Sequence, residues 1–294
     1  MSFASFFLFA FAAAGLDDAA QEQFLLKAKV VEARPAPGGI TNSKRVTLSD
    51  GALVHDAHVQ RIDRDKAREY NLRAIQANFT DTWRGNVAAY RMDRLLGLGM
   101  VPVSVERRVH GITSAVTWWV DGVLMTGQKF HETGAQPPDR ERWRRQNDLM
   151  RLFDALIANP DRNSNNMLIT QDWELKLIDH TRAFRWNNEL DQPHRVQRCS
   201  RKVYRALRGM ERSQVARAMN GLLTGMQIGA LMARRDAIVA RLEPMVAGKG
   251  EDARLADFLQ ISRPPAHAFA RTDDQVAAAA QPPGQEIQCL LAPP

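Results

Sequence analysis

Residues 159–184 read NPDRNSNNMLITQDWELKLIDHTRAF, and the fold turns on how this stretch is understood. Asp161 is followed five residues later by Asn166, and thirteen residues after that by Asp179. Asn159-Pro160 closes a helical pattern, so Asp161 falls in a loop. "MLIT" and "LKLI" are short apolar strands around the turn "QDW". A strand–turn–strand unit folds back on itself and brings its two ends together. Asn166, before the first strand, and Asp179, after the second, are therefore expected at one mouth. A carboxamide oxygen and a carboxylate are hard ligands that suit Mg²⁺ when phosphate oxygens complete the shell. Asp161, one loop away, can orient a hydroxyl or accept its proton. Together these are the parts of a phosphoryl-transfer site. The competing reading is that Asp and Asn stand there only as turn formers.

Outward from this hairpin the chain divides. Upstream, "RERWRRQNDLMRLFDALIAN" places Leu149, Leu152, Phe153, Leu156 and Ile157 on one helical face. Its basic start, around Trp143, is either a patch for an acidic substrate or membrane surface or, as the favoured reading, the solvated first turns of that helix with the Trp ring turned inward. "TGQKFHETGAQPPDR" reads as a loop, marked by Gly and Pro-Pro. Further back, 24–63 reads as strands with turns at Gly38-Gly39 and Ser49-Asp50-Gly51. Residues 65–97 read as helix, stopped by Gly97, Gly99 and Pro102. "VPVSVERRVHGITSAVTWWVDGVLM" reads as two or three more strands. Downstream, 196–246 is helical, and the tail 251–294 is rich in Ala, Pro and Gln with no apolar period, the composition of a disordered segment. The expected architecture is α+β in two lobes: a sheet-rich part over 24–127, a mainly helical part over 128–250, and a cleft between them.

With 294 residues, 45% of them hydrophobic and 25% charged, the chain has globular composition and enough length for two lobes. A net charge of +7 favours anionic partners without choosing among nucleotide, nucleic acid and lipid. Little aromatic interleaving accompanies the Arg clusters, so specific nucleic-acid binding is not expected. Cys199 and Cys289 make neither a disulfide framework nor a zinc spacing. A P-loop and a serine-hydrolase elbow are both absent. Residues 1–20 begin with the apolar run "MSFASFFLFAFAAAG", a signal-peptide-like core lacking a basic residue before it. If that leader is real the protein is secreted or periplasmic; otherwise it is cytoplasmic. The leader is also the one expected route to a membrane.

The stretch "NPDRNSNNML…LKLIDHTRAF" resembles the catalytic and metal-binding segment of the atypical branches of the protein-kinase-like superfamily: phosphoinositide kinases, HipA-type kinases and the secretory-pathway kinases related to the Golgi casein kinase. "VAAYRMDRLLGLGMVPVSVERRV" is similar to a helix–strand segment of the HipA-type and secretory kinases, and the two matches, in the right order, span about 38–186. The resemblance implies a kinase fold that uses ATP and Mg (or Mn) to phosphorylate a hydroxyl, with a protein acceptor favoured over lipid or sugar. It implies Asp161 as the catalytic carboxylate and Asn166 and Asp179 as metal ligands. Trp119 and Val120 would lie at the hinge near the adenine. "GGITNSK" would cover the phosphates, with Gly38 and Gly39 allowing close approach and Thr41, Ser43 and Lys44 offering donors.

Three positions depart from that pattern. Gln60 stands where a strand Lys contacts the phosphates, and Asn86 stands where the helix carries an acidic partner, although Glu69 lies one helix earlier. A Gln60–Asn86 amide pair would be chemically self-consistent. Thr181 occupies the usual Gly position, with His180 before it as a packed or supporting ring. Arg162, after Asp161, can steady the site or contact a phosphate. Loss of one phosphate-binding cation costs about 2–4 kcal/mol of transition-state stabilisation, which slows phosphoryl transfer without abolishing it. The alternative is a pseudokinase that binds nucleotide or serves as a scaffold; a third reading is a basic anion-binding protein.

Overall fold

The structure is a computed structural model that describes residues 16–36, 43–65 and 80–247. Gly38, Gly39, Thr41, Glu69, Cys289, the apolar leader up to residue 15 and the tail lie outside the described residues. Seven α-helices accompany three antiparallel sheets among the described residues. No helix among them is long and apolar enough to cross a membrane.

The first lobe is a five-stranded sheet in the order β1-β2-β3-β7-β6. Its strands are β1 (Lys29–Pro35), β2 (Lys44–Ser49), β3 (Val54–Gln60), β6 (Ser104–Val109) and β7 (Ile112–Trp118). Alternation along paired strands puts Val46, Leu48, Ala57, Val59, Val116 and Trp118 on one buried face. Arg45, Thr47, Asp56, His58, Gln60 and Thr117 take the other face, so the sheet is apolar on one side and polar on the side that carries the site residues.

The apolar face is closed by α1 (Asp18–Lys27), whose Phe24 ring meets Trp118 edge-on with centroids 5.7 Å apart. Phe24–Lys27 therefore end a helix rather than begin a strand. Asp17 caps its start by accepting the Ala20 N–H at 2.8 Å. Arg107 donates to the carbonyls of Leu25 and Ala28 at 2.7 Å each, satisfying groups at the helix end.

Two short strands, β4 (Asp63–Asp65) and β5 (Thr80–Thr82), lead into α2 (Arg84–Leu96). Gly97 ends α2 in the left-handed region at φ +64°. The "MDRLLGLGMVP" pattern has a physical basis at fully buried Asp93. Its carboxylate accepts the N–H groups of Gly99, Met100 and Val101 at 2.8–2.9 Å and so fixes the turn into β6.

The strand region after Pro102 resolves into β6, β7 and β8 (Val123–Thr126). The sequence reading puts β8 in the first lobe, but it hydrogen-bonds to β9 (Met167–Thr170), which pairs in turn with β10 (Leu175–Leu177). The chain crosses between the two sheets at 119–122. Residues Gly127–Thr133, expected as loop, form the short helix α3. Thr126 caps it through the Lys129 N–H, and Gly127 acts as a packing residue rather than a breaker, because a Cβ there would lie 2.8 Å from the Ser164 carbonyl. A single turn pair with one buried residue carries no apolar period, which is why sequence reasoning missed it.

Helix α4 (Arg140–Ile157) matches expectation: Asp139 caps it, and Leu152, Phe153, Leu156 and Ile157 are fully buried. Trp143 packs inward against Phe130 and Trp173, while Arg144 and Arg145 pair with Glu141 at the surface. The helical run expected over 196–246 is three helices, α5 (Arg201–Arg208), α6 (Arg212–Ala218) and α7 (Gly225–Ala247). Cys199 is buried, and burial pushes its thiol up to about 12.

Candidate active site

The loop after α4 is built by polar side chains folding onto their own backbone. Ala158 takes a left-handed conformation (φ +48°), and Asn159 holds Asp154 through Nδ2 at 3.0 Å while its Oδ1 accepts the Asp161 N–H at 3.1 Å. Asn163 Oδ1 then accepts the N–H groups of Asn165 and Asn166, winding the short 3₁₀ turn Ser164–Asn166. Asn166 donates Nδ2 to the Asp161 carbonyl at 3.3 Å, which leaves its Oδ1 as the acceptor end of the amide. Across the hairpin, Ile178 N–H bonds the Asn166 carbonyl at 3.1 Å. Asp179, the next residue, is therefore held beside Asn166.

Arg162 locks these pieces together. Its guanidinium donates to both carboxylate oxygens of Asp154 and to the carbonyls of Asn166 and Ile178, each at 3.0 Å. Its Nη2 also lies 2.8 Å from His180 Nε2. Arg can only donate, so Nε2 must accept and the imidazole proton sits on Nδ1. His180 is buried, with its ring edge-on to Phe153; burial, and then the Arg162 charge, hold it well below the usual imidazole range. Both residues therefore support the loop from behind, and Arg162 has no spare donor direction toward a phosphate.

Asp179 is exposed and adopts φ +53°, which Asp tolerates better than most residues. Thr181, at the expected Gly position, donates its hydroxyl to Asp179 Oδ1 at 3.1 Å. The Asp161 carboxylate is partly open and pairs with Arg182 at 3.2 Å. The three spaced residues thus gather at one accessible edge. No cluster of three or more His, Cys, Asp or Glu side chains fit for a metal occurs among the described residues. A carboxylate and a carboxamide oxygen nonetheless suit a divalent cation whose remaining ligands are phosphate oxygens and water.

The sheet side meets this edge through α2. Asn86 is buried and its Oδ1 accepts the His180 N–H at 2.7 Å. Gln60 is buried too, and its Oε1 accepts the N–H groups of Arg61 and Ile62 at 2.9 and 3.0 Å. The amide pair expected between them is replaced by two separate backbone anchors. Thr82 N–H bonds the Thr181 carbonyl at 2.9 Å. Gly85 permits this approach, since a Cβ there would sit 2.2 Å from the His180 carbonyl oxygen. Gly85 was not singled out from sequence, because a helical Gly signals nothing about what faces it.

The remaining expected contacts divide. Ser43 is buried just before β2, and Lys44 opens that strand opposite Val59. Trp119 gives its N–H to the Asp56 carbonyl at 3.2 Å, and the Arg45 guanidinium lies 4.1 Å above its ring. Val120 is half-buried in the crossing segment. Asp56 holds Arg34, Arg45 and Thr47, so the polar face beside Trp119 is an ionic network. His58 lies near enough to Asp179 to feel its charge, which opposes the lowering that burial imposes on the imidazole.

No protein-family model and no curated protein matches the chain. Solved structures do. A hydra Fam20 protein determined with a sugar superposes with a TM-score of 0.58 at 16% identity, covering 79% of this chain and 89% of that one. The Golgi casein kinase superposes at 0.54 and 14% identity, covering 79% and 76%, and its Mn/ADP complex gives the same score at 13% identity. At such identities the likeness speaks for the fold alone: this chain shares the fold of the hydra Fam20 protein and the Golgi casein kinase.

Proposed function

We propose that the protein is an atypical kinase that transfers the terminal phosphoryl group of ATP to a hydroxyl, with a protein hydroxyl favoured as acceptor. The observation that carries this reading is the convergence of Asp161, Asn166 and Asp179 on one open edge, held by Arg162. Asp161 is assigned to orient the acceptor hydroxyl and take its proton. Asn166 Oδ1 and Asp179 are assigned to hold Mg or Mn. A bound divalent cation neutralises phosphate charge and fixes the phosphate oxygens in line. A related fold that holds Mn and ADP supports this choice of cofactors. Trp119 and Val120 are assigned to the nucleobase end. Gly38, Gly39, Thr41 and Ser43 are assigned to cover the phosphates, and Gln60 to reach them without charge; Lys44, in register with Val59, lies on the opposite face of the sheet.

The test is single-turnover transfer from γ-labelled ATP at high protein concentration with Mg or Mn. Transfer that disappears in Asp161→Asn supports the reading. Asp179→Ala with full metal–nucleotide binding contradicts the metal assignment.

One observation favours a second reading, a pseudokinase. Gln60 and Asn86 spend their amide oxygens on backbone N–H groups. That reading predicts nucleotide binding with no transfer in the same assay.

A further inference from the structure

The phosphotransferase reading leaves one electrostatic gap: Gln60 supplies no charge where this fold carries a Lys. We infer that Arg182 is the cation that meets the terminal phosphoryl group. This rests on the reading above, and three observations carry it.

The first is position. Arg182 lies three residues after Asp179, and its Nη1 is 3.2 Å from Asp161 Oδ2. The carboxylate assigned to the acceptor hydroxyl must lie beside the phosphoryl group being moved. A guanidinium touching that carboxylate is therefore within reach of the same group.

The second is rigidity with freedom at the tip. The backbone on both sides of Arg182 is fixed. Thr181 carbonyl accepts the Thr82 N–H at 2.9 Å, Phe184 N–H bonds the Ile157 carbonyl at 2.6 Å, and Phe184 carbonyl accepts Gln227 Nε2 at 3.1 Å. Ala183 and Phe184 are buried. Arg234, wholly buried, holds the carbonyls of Leu156 and Arg185 and so pins the following residues. The Arg182 side chain itself is 44% exposed, and its other acidic neighbour, Asp81, is 4.0 Å away. An anchored stem with an open guanidinium is preorganised for an anion.

The third is the commitment of the neighbouring cations. Arg162 is saturated behind the loop. Arg84 is tied to Asp63 and Thr82, Arg45 to Asp56, and Lys176 to Glu174 and the Gly99 carbonyl. Of the cations named here, Arg182 is the one paired with the Asp161 carboxylate; Arg185 lies near enough to feel both groups but is half-buried beside them. The terminal phosphate group, more highly charged than one carboxylate, competes for it in the bidentate manner that Arg favours.

The prediction is discrimination between nucleotides. Dissociation constants for Mg–ATP and Mg–ADP are measured by calorimetry on the full-length protein, its Arg182→Ala and Arg182→Lys variants, and the Arg182→Ala/Asp161→Asn double variant. Arg182→Ala is expected to lose on the order of tenfold in ATP affinity, the scale of one charge-assisted contact, and to keep its ADP affinity. Arg182→Lys is expected to keep most of the preference for ATP. The double variant is expected to stay impaired for ATP.

Equal weakening of both nucleotides, or of neither, overturns the assignment and leaves the phosphotransferase reading standing. Recovery of the ATP preference in the double variant also overturns it, by reducing Arg182 to a screen for Asp161. A wild-type protein that binds neither nucleotide with Mg or Mn overturns the assignment and the reading together.

Discussion

The two sides of the site are built on opposite electrostatic plans. The hairpin side is charged and saturated: Arg162 joins Asp154, two carbonyls and His180, while Asp161 and Asp179 remain open at the edge. The sheet side offers two amides at that edge, Gln60 and Asn86, each bonded to backbone N–H groups, while its charges are paired as Arg84 with Asp63 and Asp81 with Arg182. The difference teaches that one rim is organised to present anions while the other is organised to hold its own backbone. A metal–phosphate group suits the first rim directly. The amides of the second rim bring it no cation, which is the gap the proposed role of Arg182 fills.

The largest effect expected from breaking this contrast is on chemistry. Asp161→Asn is expected to lower single-turnover transfer roughly a hundred- to ten-thousand-fold, the range of a general base, with the melting temperature unchanged. Normal transfer in that variant would remove the hairpin side from the mechanism.

Next comes the support of the charged rim. Arg162 and Asp154 expose 9% and 12% of their side chains. Arg162→Met leaves the Asp154 carboxylate buried beside a lost partner and is expected to cost about 3–5 kcal/mol in urea unfolding. A cost near zero would mean that the network does not hold the loop.

The seam between the sides should be less costly to break. Gly85→Ala places a methyl where the His180 carbonyl stands and is expected to destabilise by about 1–3 kcal/mol. It should also abolish the thermal shift given by Mg–ATP, because Asp179 lies one residue from the displaced group. On the sheet side, Gln60→Leu removes the acceptor of two N–H groups and is expected to cost about 1–3 kcal/mol, with a smaller effect on metal binding than Gly85→Ala.

The smallest effect is with pH. Burial lowers both His180 and His58 from the ordinary value of 6.5. The folded state keeps them neutral while the unfolded chain takes up protons, so stability is full above about pH 6.5 and falls as pH drops below it. Urea midpoints at about pH 7.5 and 5.5 measure this fall, and His180→Gln should flatten part of it. A wild-type midpoint that rises on acidification would contradict the burial of these rings.

Much of this was readable in the linear chain. The apolar face of α4, the strands "MLIT" and "LKLI", and the spacing of Asp161, Asn166 and Asp179 are local or periodic features, and hairpin closure alone brings the last two residues together. Thus the sequence by itself determined the two-part α+β architecture and the closeness of Asn166 and Asp179 along the hairpin. Other features depend on residues distant in the chain. Asn86 meets His180 across 94 positions, and Arg234 reaches Leu156 across 78. Gly85, the fate of the Gln60 and Asn86 amides, the pairing of β8 with β9, and the turn of Arg182 onto Asp161 were decided only in the folded structure. The physical reason is that a side chain's hydrogen-bonding capacity is written in its chemistry, whereas the partner that uses it is selected by packing, and packing has no periodic trace along the chain.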